Sequence, residues 1–214
     1  MRSPQNVSAI ISWGSLWGIS EASVGHLLHI SGLPFGWLFW FPLAFYFMHS
    51  VYRQTNLPGT ACATAVIAAS LKLLDLLAPM RIDYVVNPAV AILLEGVAVA
   101  AVFRLMQQRS REHNFRVTDT MLLSTAWRTL YLLYAWLVMP PAWRAISAVV
   151  SGRAFLSFAL MENAINIVTI QVFLRWPVAR MWPRLWPPPV WSFMMRPATA
   201  GLLLATAVLL QWRL

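Results

Sequence analysis

Ionisable and amide side chains recur inside long apolar stretches of this chain, where charge is costly. A charged group at the centre of a bilayer costs about 2.5–3.5 kcal/mol or more unless it is paired or hydrated. Side chains of these types in such a setting are typical of ligand binding, proton transfer or metal coordination. We therefore predict that they form a ligand-binding set. The set comprises Glu21, His26, His29, Lys72, Asp75, Asn87, Glu95, Arg128, Glu162, Asn163 and Asn166.

The first apolar stretch places its polar and small residues on one helical face, at about 100° per residue. Glu21, His26 and His29 on this face could ligate a metal ion, although their spread differs from a compact pair of histidines. Hydrogen-bonded histidines near the external surface are the simpler interpretation. The small residues of the face form a ladder that allows another helix to approach closely, within the chain or in a partner. The ladder residues are Gly14, Gly18 and Ala22.

Two pairs of candidates are spaced to meet on a helix. Lys72 and Asp75 are three residues apart, which predicts an ion pair within one helix. Glu162 and Asn166 share one face, with Asn163 beside it. These three side chains predict either a hydrogen-bonded clamp between helices or part of the binding site.

Another face alternates polar groups with small residues. Asn87, Ala91, Glu95 and Ala98 fall together when residues 85–106 are helical. Such alternation is typical of a lining. We therefore expect this face to border the ligand site.

Composition defines the environment that must hold these residues. The chain has 214 residues, of which 59% are hydrophobic and 11% charged, and its mean hydropathy is +0.63. A soluble domain would have about 25% charged residues. Cys62 is the single cysteine, so one chain can form neither a disulfide nor a thiolate metal cluster. The net charge is +9, but the basic residues are scattered rather than clustered, which argues against nucleic-acid binding.

Apolar segments of membrane-spanning character predict an all-α bundle of six to seven transmembrane helices, forming a single domain over residues 1–214. The last segment is the shortest. A stretch rich in Pro, Trp and Arg, 176–196, precedes it and is predicted to lie in the headgroup layer. The predicted helices are 8–30, 34–52, 59–78, 85–106, 120–139, 152–174 and 197–212.

Arginines predict the orientation. They accumulate at the N-terminus and in the connections after the second, fourth and sixth segments. Because arginine is enriched on the cytoplasmic side of membrane proteins, we expect a cytoplasmic N-terminus. The expected location is the inner cell membrane. Arg81, Arg144, Arg153 and Arg213 lie on the opposite side. In this orientation the polar candidates converge on the external half and the middle of the bilayer. That distribution predicts a pocket open to the outside.

Charge suggests the class of ligand. If Lys72 and Asp75 neutralise each other, the remaining candidates hold three carboxylates and one cation, Arg128. This surplus of negative charge favours a cationic or amine-bearing ligand over an anion. Protonation of the carboxylates or of a histidine would remove this surplus.

Three runs of the chain carry small, aromatic and ionisable residues together. They are Trp13-Gly-Ser-Leu-Trp-Gly18-Ile-Ser-Glu21-Ala-Ser-Val-Gly25-His26, Gly32-Leu-Pro-Phe-Gly36 and Asn87-Pro-Ala-Val-Ala-Ile-Leu-Leu-Glu95-Gly96. These runs resemble the substrate-binding S-components of energy-coupling-factor transporters. The resemblance covers about residues 8–175 as a six-helix pattern.

The resemblance implies a subunit that captures a vitamin or metal ion from outside. Gly14, Gly18 and Ala22 would then pack against a transmembrane coupling subunit, which two cytoplasmic ATPases drive, and the loop 31–34 would help to gate the pocket. The ladders of this family usually use alanine, and a seventh helix is not part of its usual pattern.

Two other function classes stay open. An intramembrane enzyme would use Glu21, His26 and His29 as acid–base or metal-binding groups, with Glu95 or Glu162 opposite. A structural subunit of a membrane redox complex would hold a haem or similar cofactor near the histidines. The sequence has no Gly-x-x-x-x-Gly-Lys-Ser/Thr phosphate loop, no Gly-x-Ser-x-Gly elbow and no His-Glu-x-x-His motif. A binding protein is therefore favoured over an enzyme.

Overall fold

Helices account for the regular structure of the chain. The computed structural model describes residues 4–30, 36–79, 81–109, 115–146, 152–175, 192–193 and 195–213. Within these ranges, side-chain surroundings are described except for residues 25–30, 36–38, 144–146 and 212–213. The described part contains helices and no strands, which confirms the all-α prediction for that part.

The helices follow the apolar segments because charged residues, prolines and glycines interrupt those segments. All seven predicted segments have a helical counterpart, and a short helix that we did not predict follows the fifth. The helices are α1 Pro4–Ile30, α2 Gly36–Thr55, α3 Gly59–Leu73, α4 Ile82–Gln108, α5 Val117–Leu137, α6 Pro141–Ile146, α7 Gly152–Leu156, α8 Glu162–Arg175 and α9 Pro197–Arg213. A 3₁₀ turn, Leu74–Leu77, extends α3, and a π turn, Ser157–Met161, joins α7 to α8.

Three helical stretches of the described chain are long and apolar enough to cross a membrane. They are Gly59–Leu77, Ile82–Gln108 and Gly152–Arg175. A fourth stretch, Pro197–Gln211, is apolar but shorter. By length and composition, these helices support a membrane protein.

Small residues bring α3 into close contact with α1 and α4. A Cβ atom added to Gly14 of α1 would lie 2.6 Å from the Cβ atom of Ile67, and one added to Gly18 would collide with Leu71. On the other side of α3, a Cβ atom on Gly96 of α4 would collide with Ala65. The helices approach this closely because glycine and alanine leave room for the neighbouring backbone. We call this contact region the small-residue interface.

α9 packs along α1. The contact between α9 and α1 is one of the largest between helices in the described structure. Near the end of α9, Gln211 Nε2 donates a hydrogen bond to Asp75 Oδ1 at 2.5 Å. This bond ties α9 to the 3₁₀ turn that follows α3.

An aromatic core joins α2 to α4. Tyr52 and Phe103 stack with their ring centroids 4.3 Å apart, and Phe45 contacts the edge of Phe103. All three side chains are buried. The core fixes α4, whose other end borders the site described next.

Candidate functional site

A cavity of about 480 Å³ opens where α4 begins, between α4, α5, α6 and the π turn. Its size falls within the range of about 300–1,000 Å³ that small-molecule sites occupy. Most of its wall is aromatic or apolar, and a few polar groups stand among these side chains, as in ligand pockets generally. The wall comprises Arg81, Asp83, Tyr84, Asn87, Pro88, Ala91, Trp127, Tyr131, Trp143 and Phe158.

An ion pair at the start of α4 forms the charged part of the wall. Arg81 donates from Nε to Asp83 Oδ1 at 3.1 Å and from Nη2 to Asp83 Oδ2 at 2.8 Å. The guanidinium also lies over the Tyr84 ring, 4.4 Å from its centroid. The hydrogen bond to Asp83 raises the pKa of the Arg81 guanidinium, and arginine is in any case protonated throughout the physiological pH range. Asp83 in the first turn also stabilises the positive end of the α4 dipole.

Aromatic residues of α5 form the opposite wall. Trp127 and Tyr131 are four residues apart and therefore share one face of the helix. Phe158 of the π turn meets Trp127 edge to face, with centroids 5.6 Å apart. One turn beyond Tyr131, Tyr134 donates its hydroxyl to Asn87 Oδ1 at 2.9 Å. This hydrogen bond fixes the spacing of α4 and α5 beside the cavity.

Arg128 is buried directly behind the aromatic wall. Its guanidinium carbon lies 4.6 Å from the Trp127 ring centroid and 5.2 Å from that of Phe158. Its Nε donates to the carbonyl oxygen of Phe158 at 2.9 Å, and its Nη1 donates to Ser124 Oγ at 3.0 Å. The partner carbonyl belongs to the π turn, where the regular α-helical bonding pattern is interrupted. Arg128 thus positions the π turn that carries Phe158.

An amide side chain of α8 extends the hydrogen bonds that begin at Arg128 and Ser124. Ser124 Oγ donates to Asn163 Oδ1 at 2.6 Å, and Asn163 Nδ2 donates to Thr125 Oγ1 at 3.0 Å. Asn166 is 1% exposed, and neither its Nδ2 nor its Oδ1 has a hydrogen-bond partner among the described residues. Among the contacts of the described residues, Asn163 is therefore the member of this segment that forms the predicted clamp between helices.

The ion pair predicted within α3 and its extension is present. Lys72 Nζ lies 2.7 Å from Asp75 Oδ2. Glu21 accepts a hydrogen bond from Trp17 Nε1 at 3.3 Å and interacts electrostatically with both members of the pair. This group of charges lies against α9 through Gln211 rather than in the wall of the cavity.

Glu95 links the two groups of charges. It is 7% exposed and interacts electrostatically with Glu21 on one side and with Arg128 on the other. Arg128 in turn interacts with Glu162. Successive electrostatic interactions therefore connect the ionisable candidates of known placement, and we call this set the line of charges. It runs from the Lys72–Asp75 pair through Glu21, Glu95 and Arg128 to Glu162.

The predicted ligand residues take different places relative to the cavity. Asn87 lies in its wall and Arg128 lies behind it. His26 and His29 lie on α1 at positions where side chains fall outside the described part, and residues 31–34 and 176–191 fall outside it altogether. The predicted residues that the cavity wall does not include are Glu21, Lys72, Asp75, Glu95, Glu162, Asn163 and Asn166.

Sequence reasoning missed most of the wall. Arg81 and Asp83 lie between the predicted helices 59–78 and 85–106, whereas α4 begins at Ile82, and Trp143 lies on a helix that we did not predict. Two signals were present in the sequence. Trp127 and Tyr131 recur at helical spacing, and the charged residues flank the start of a long apolar helix that carries Asn87.

Metal ligands do not come together in the described part of the chain, where no group of three His, Cys, Asp or Glu side chains could hold an ion. The metal set predicted from the first helix includes two histidines whose side chains lie outside that part.

No protein-family model, no curated protein and no solved structure matches the chain.

Proposed function

We propose that this chain is a membrane-embedded solute-binding protein that takes a small ligand into the cavity at the start of α4. One observation carries the proposal: a cavity of about 480 Å³ combines aromatic walls with a few polar groups. This composition is typical of sites that bury most of a small ligand and orient it through few polar contacts. The distribution of arginines along the sequence predicts that Arg81 lies on the external side, so the ligand enters from that face.

The same proposal includes a multi-pass topology in the inner membrane, with six or seven crossings and a cytoplasmic N-terminus. Successive helices joined by short connections favour alternating directions across the bilayer. α3 with its extension, α4, and the stretch from α7 to α8 meet the length and composition criteria for crossing. The other long helices would cross as their neighbours in the bundle.

The resemblance to S-components adds a proposal about partners, a transmembrane coupling subunit and cytoplasmic ATPases. Gly14 and Gly18 pack against α3 within the chain, and Ala22 is 9% exposed. A coupling subunit would therefore contact a surface other than this ladder. The exposed apolar side chains of α5, such as Leu133 and Trp136, lie on a face that lipid or a partner helix would cover.

The cavity is tested with a matched pair of tryptophan variants on α5. Trp127 is buried in the wall, whereas Trp136 is 53% exposed and does not belong to it. Native mass spectrometry of the protein in mild detergent would identify a co-purified small molecule. We expect Trp127→Ala to lower ligand occupancy about tenfold, because an aromatic contact is worth about 1–2 kcal/mol. Trp136→Ala should retain wild-type occupancy.

A second variant separates ligand loss from misfolding. Tyr84 lies at the mouth of the cavity and is 59% exposed, so Tyr84→Ala should leave the melting temperature unchanged while weakening binding severalfold. Equal ligand occupancy in wild type, Trp127→Ala and Tyr84→Ala would show that the ligand binds elsewhere. A haem or other pigment in the purified protein would instead favour the redox subunit.

A further inference from the structure

The Arg81–Asp83 pair at the mouth of the cavity is unequal in exposure. The Asp83 side chain is 12% exposed, whereas the Arg81 side chain that covers it is 51% exposed. Both belong to the cavity wall. The carboxylate is therefore a fixed element of the cavity, and the guanidinium reaches it from the solvent side.

The surroundings of the Arg81 guanidinium are those of a cation-binding site. Two nitrogens bond the two carboxylate oxygens of Asp83, a third lies 3.4 Å from the Tyr84 hydroxyl, and the Tyr84 ring lies beneath the group. A carboxylate combined with an aromatic face is how proteins recognise guanidinium and ammonium ligands. Arg81 thus occupies, as part of the chain, the position in which a ligand cation would be held.

A ligand has an advantage over Arg81 in this position. The Arg81 guanidinium is half exposed, so water screens its attraction to Asp83 and replacing it costs the protein little. Arg81 reaches only the mouth of the cavity. A ligand that joins a cation to an apolar body would also bury that body against Trp127, Tyr131 and Phe158, which adds to its binding. Because Arg128 lies behind the rings of Trp127 and Phe158, the cationic end belongs at the mouth and the apolar end inside.

We infer that Asp83 is the cation subsite of the cavity and that Arg81 is a displaceable internal cation, which a ligand bearing an amidinium, guanidinium or ammonium group replaces. The inference rests on the proposed function and names the class of its ligand. Arg81 then compensates the negative charge of Asp83 whenever no ligand is bound.

The test uses benzamidine, its neutral analogue benzamide and its anionic analogue benzoate, which differ chiefly in charge. Isothermal titration in detergent would measure their affinities for the wild type, Arg81→Gln and Asp83→Asn. We expect the wild type to prefer benzamidine to benzamide. Arg81→Gln should bind benzamidine about two- to fivefold more tightly, because the competing cation is gone. Asp83→Asn should bind benzamidine no better than benzamide, and Asp83→Glu should restore part of the preference.

Several outcomes would overturn the inference. Equal or weaker benzamidine binding by Arg81→Gln would show that Arg81 does not compete with the ligand. Tighter binding of benzoate, lost in Arg81→Gln, would make Arg81 the anchor of an anionic ligand. If no probe binds any variant while the co-purified ligand still depends on Trp127, the cation subsite is rejected and the cavity remains the binding site.

Discussion

Two sides of α4 are built in opposite ways. Towards α3, Gly96 meets Ala65 and Cys62 so closely that an added Cβ atom would collide. At the other end of the helix, Asn87 and Ala91 border a cavity between large aromatic residues. Small residues let backbones approach and leave no space, whereas bulky rings on separate helices hold those helices apart. The contrast separates a packed support from a region with room for a ligand.

The largest effect should come from filling the packed side. Gly96→Leu adds a side chain where even Cβ has no space, so we expect a loss of stability of about 3 kcal/mol or more. Ala91→Leu on the same helix projects the same side chain into the cavity and should cost less than about 1 kcal/mol, because it does not overpack a filled core, while reducing ligand binding. Thermal unfolding in detergent would measure both. Equal destabilisation by the two variants would contradict the proposed contrast.

An intermediate effect should follow from changing the buried cation behind the aromatic wall. Arg128→Lys keeps the charge but cannot bond both the Phe158 carbonyl and Ser124 with the geometry of a guanidinium. We expect a loss of about 2 kcal/mol, since hydrogen bonds from charged groups are worth about 1.5–3 kcal/mol each. Unfolding in denaturant would measure it, with Arg104→Lys on an exposed part of α4 as the unaffected control. Unchanged stability would mean that Arg128 does not hold the π turn.

The smallest effects should have opposite signs at the two amides of α8. Asn163→Leu removes two side-chain hydrogen bonds and should lower stability by about 1–2 kcal/mol. Asn166→Leu replaces a buried amide without partners among the described residues and should raise stability by about 1 kcal/mol. Melting temperatures of the two variants, measured side by side, test the difference. Destabilisation by Asn166→Leu would show that this amide has a partner in the membrane, such as water or another chain.

Local features of this fold could be predicted from the sequence. The long apolar segments became helices because interruptions by charge, proline and glycine set their ends. The Lys72–Asp75 pair followed from spacing alone, since residues three apart meet on any helix.

The cavity could not be predicted in the same way, because it depends on distances between helices. Helical periodicity gives the face of Trp127 and Tyr131 but not which helix that face meets. The π turn adds a further obstacle: it changes the angular offset between Phe158 and Asn166, so faces assigned at 100° per residue do not carry across it. Ionisable residues are rare inside apolar segments, so the sequence identifies the line of charges. The wall consists mainly of aromatic residues, which are common in membrane helices and therefore do not identify a site.

The contact between α9 and α1 has a consequence for biosynthesis. α1 is synthesised well before α9, along which it packs, and Gln211 ties α9 to Asp75. At about 5–20 residues per second, α1 leaves the ribosome on the order of 10–40 s before α9 is complete. During this interval the α9-binding face of α1 must be covered by lipid, by the insertion machinery or by a chaperone. Removal of α9 would therefore expose a face of α1, a helix about 170 residues earlier in the sequence.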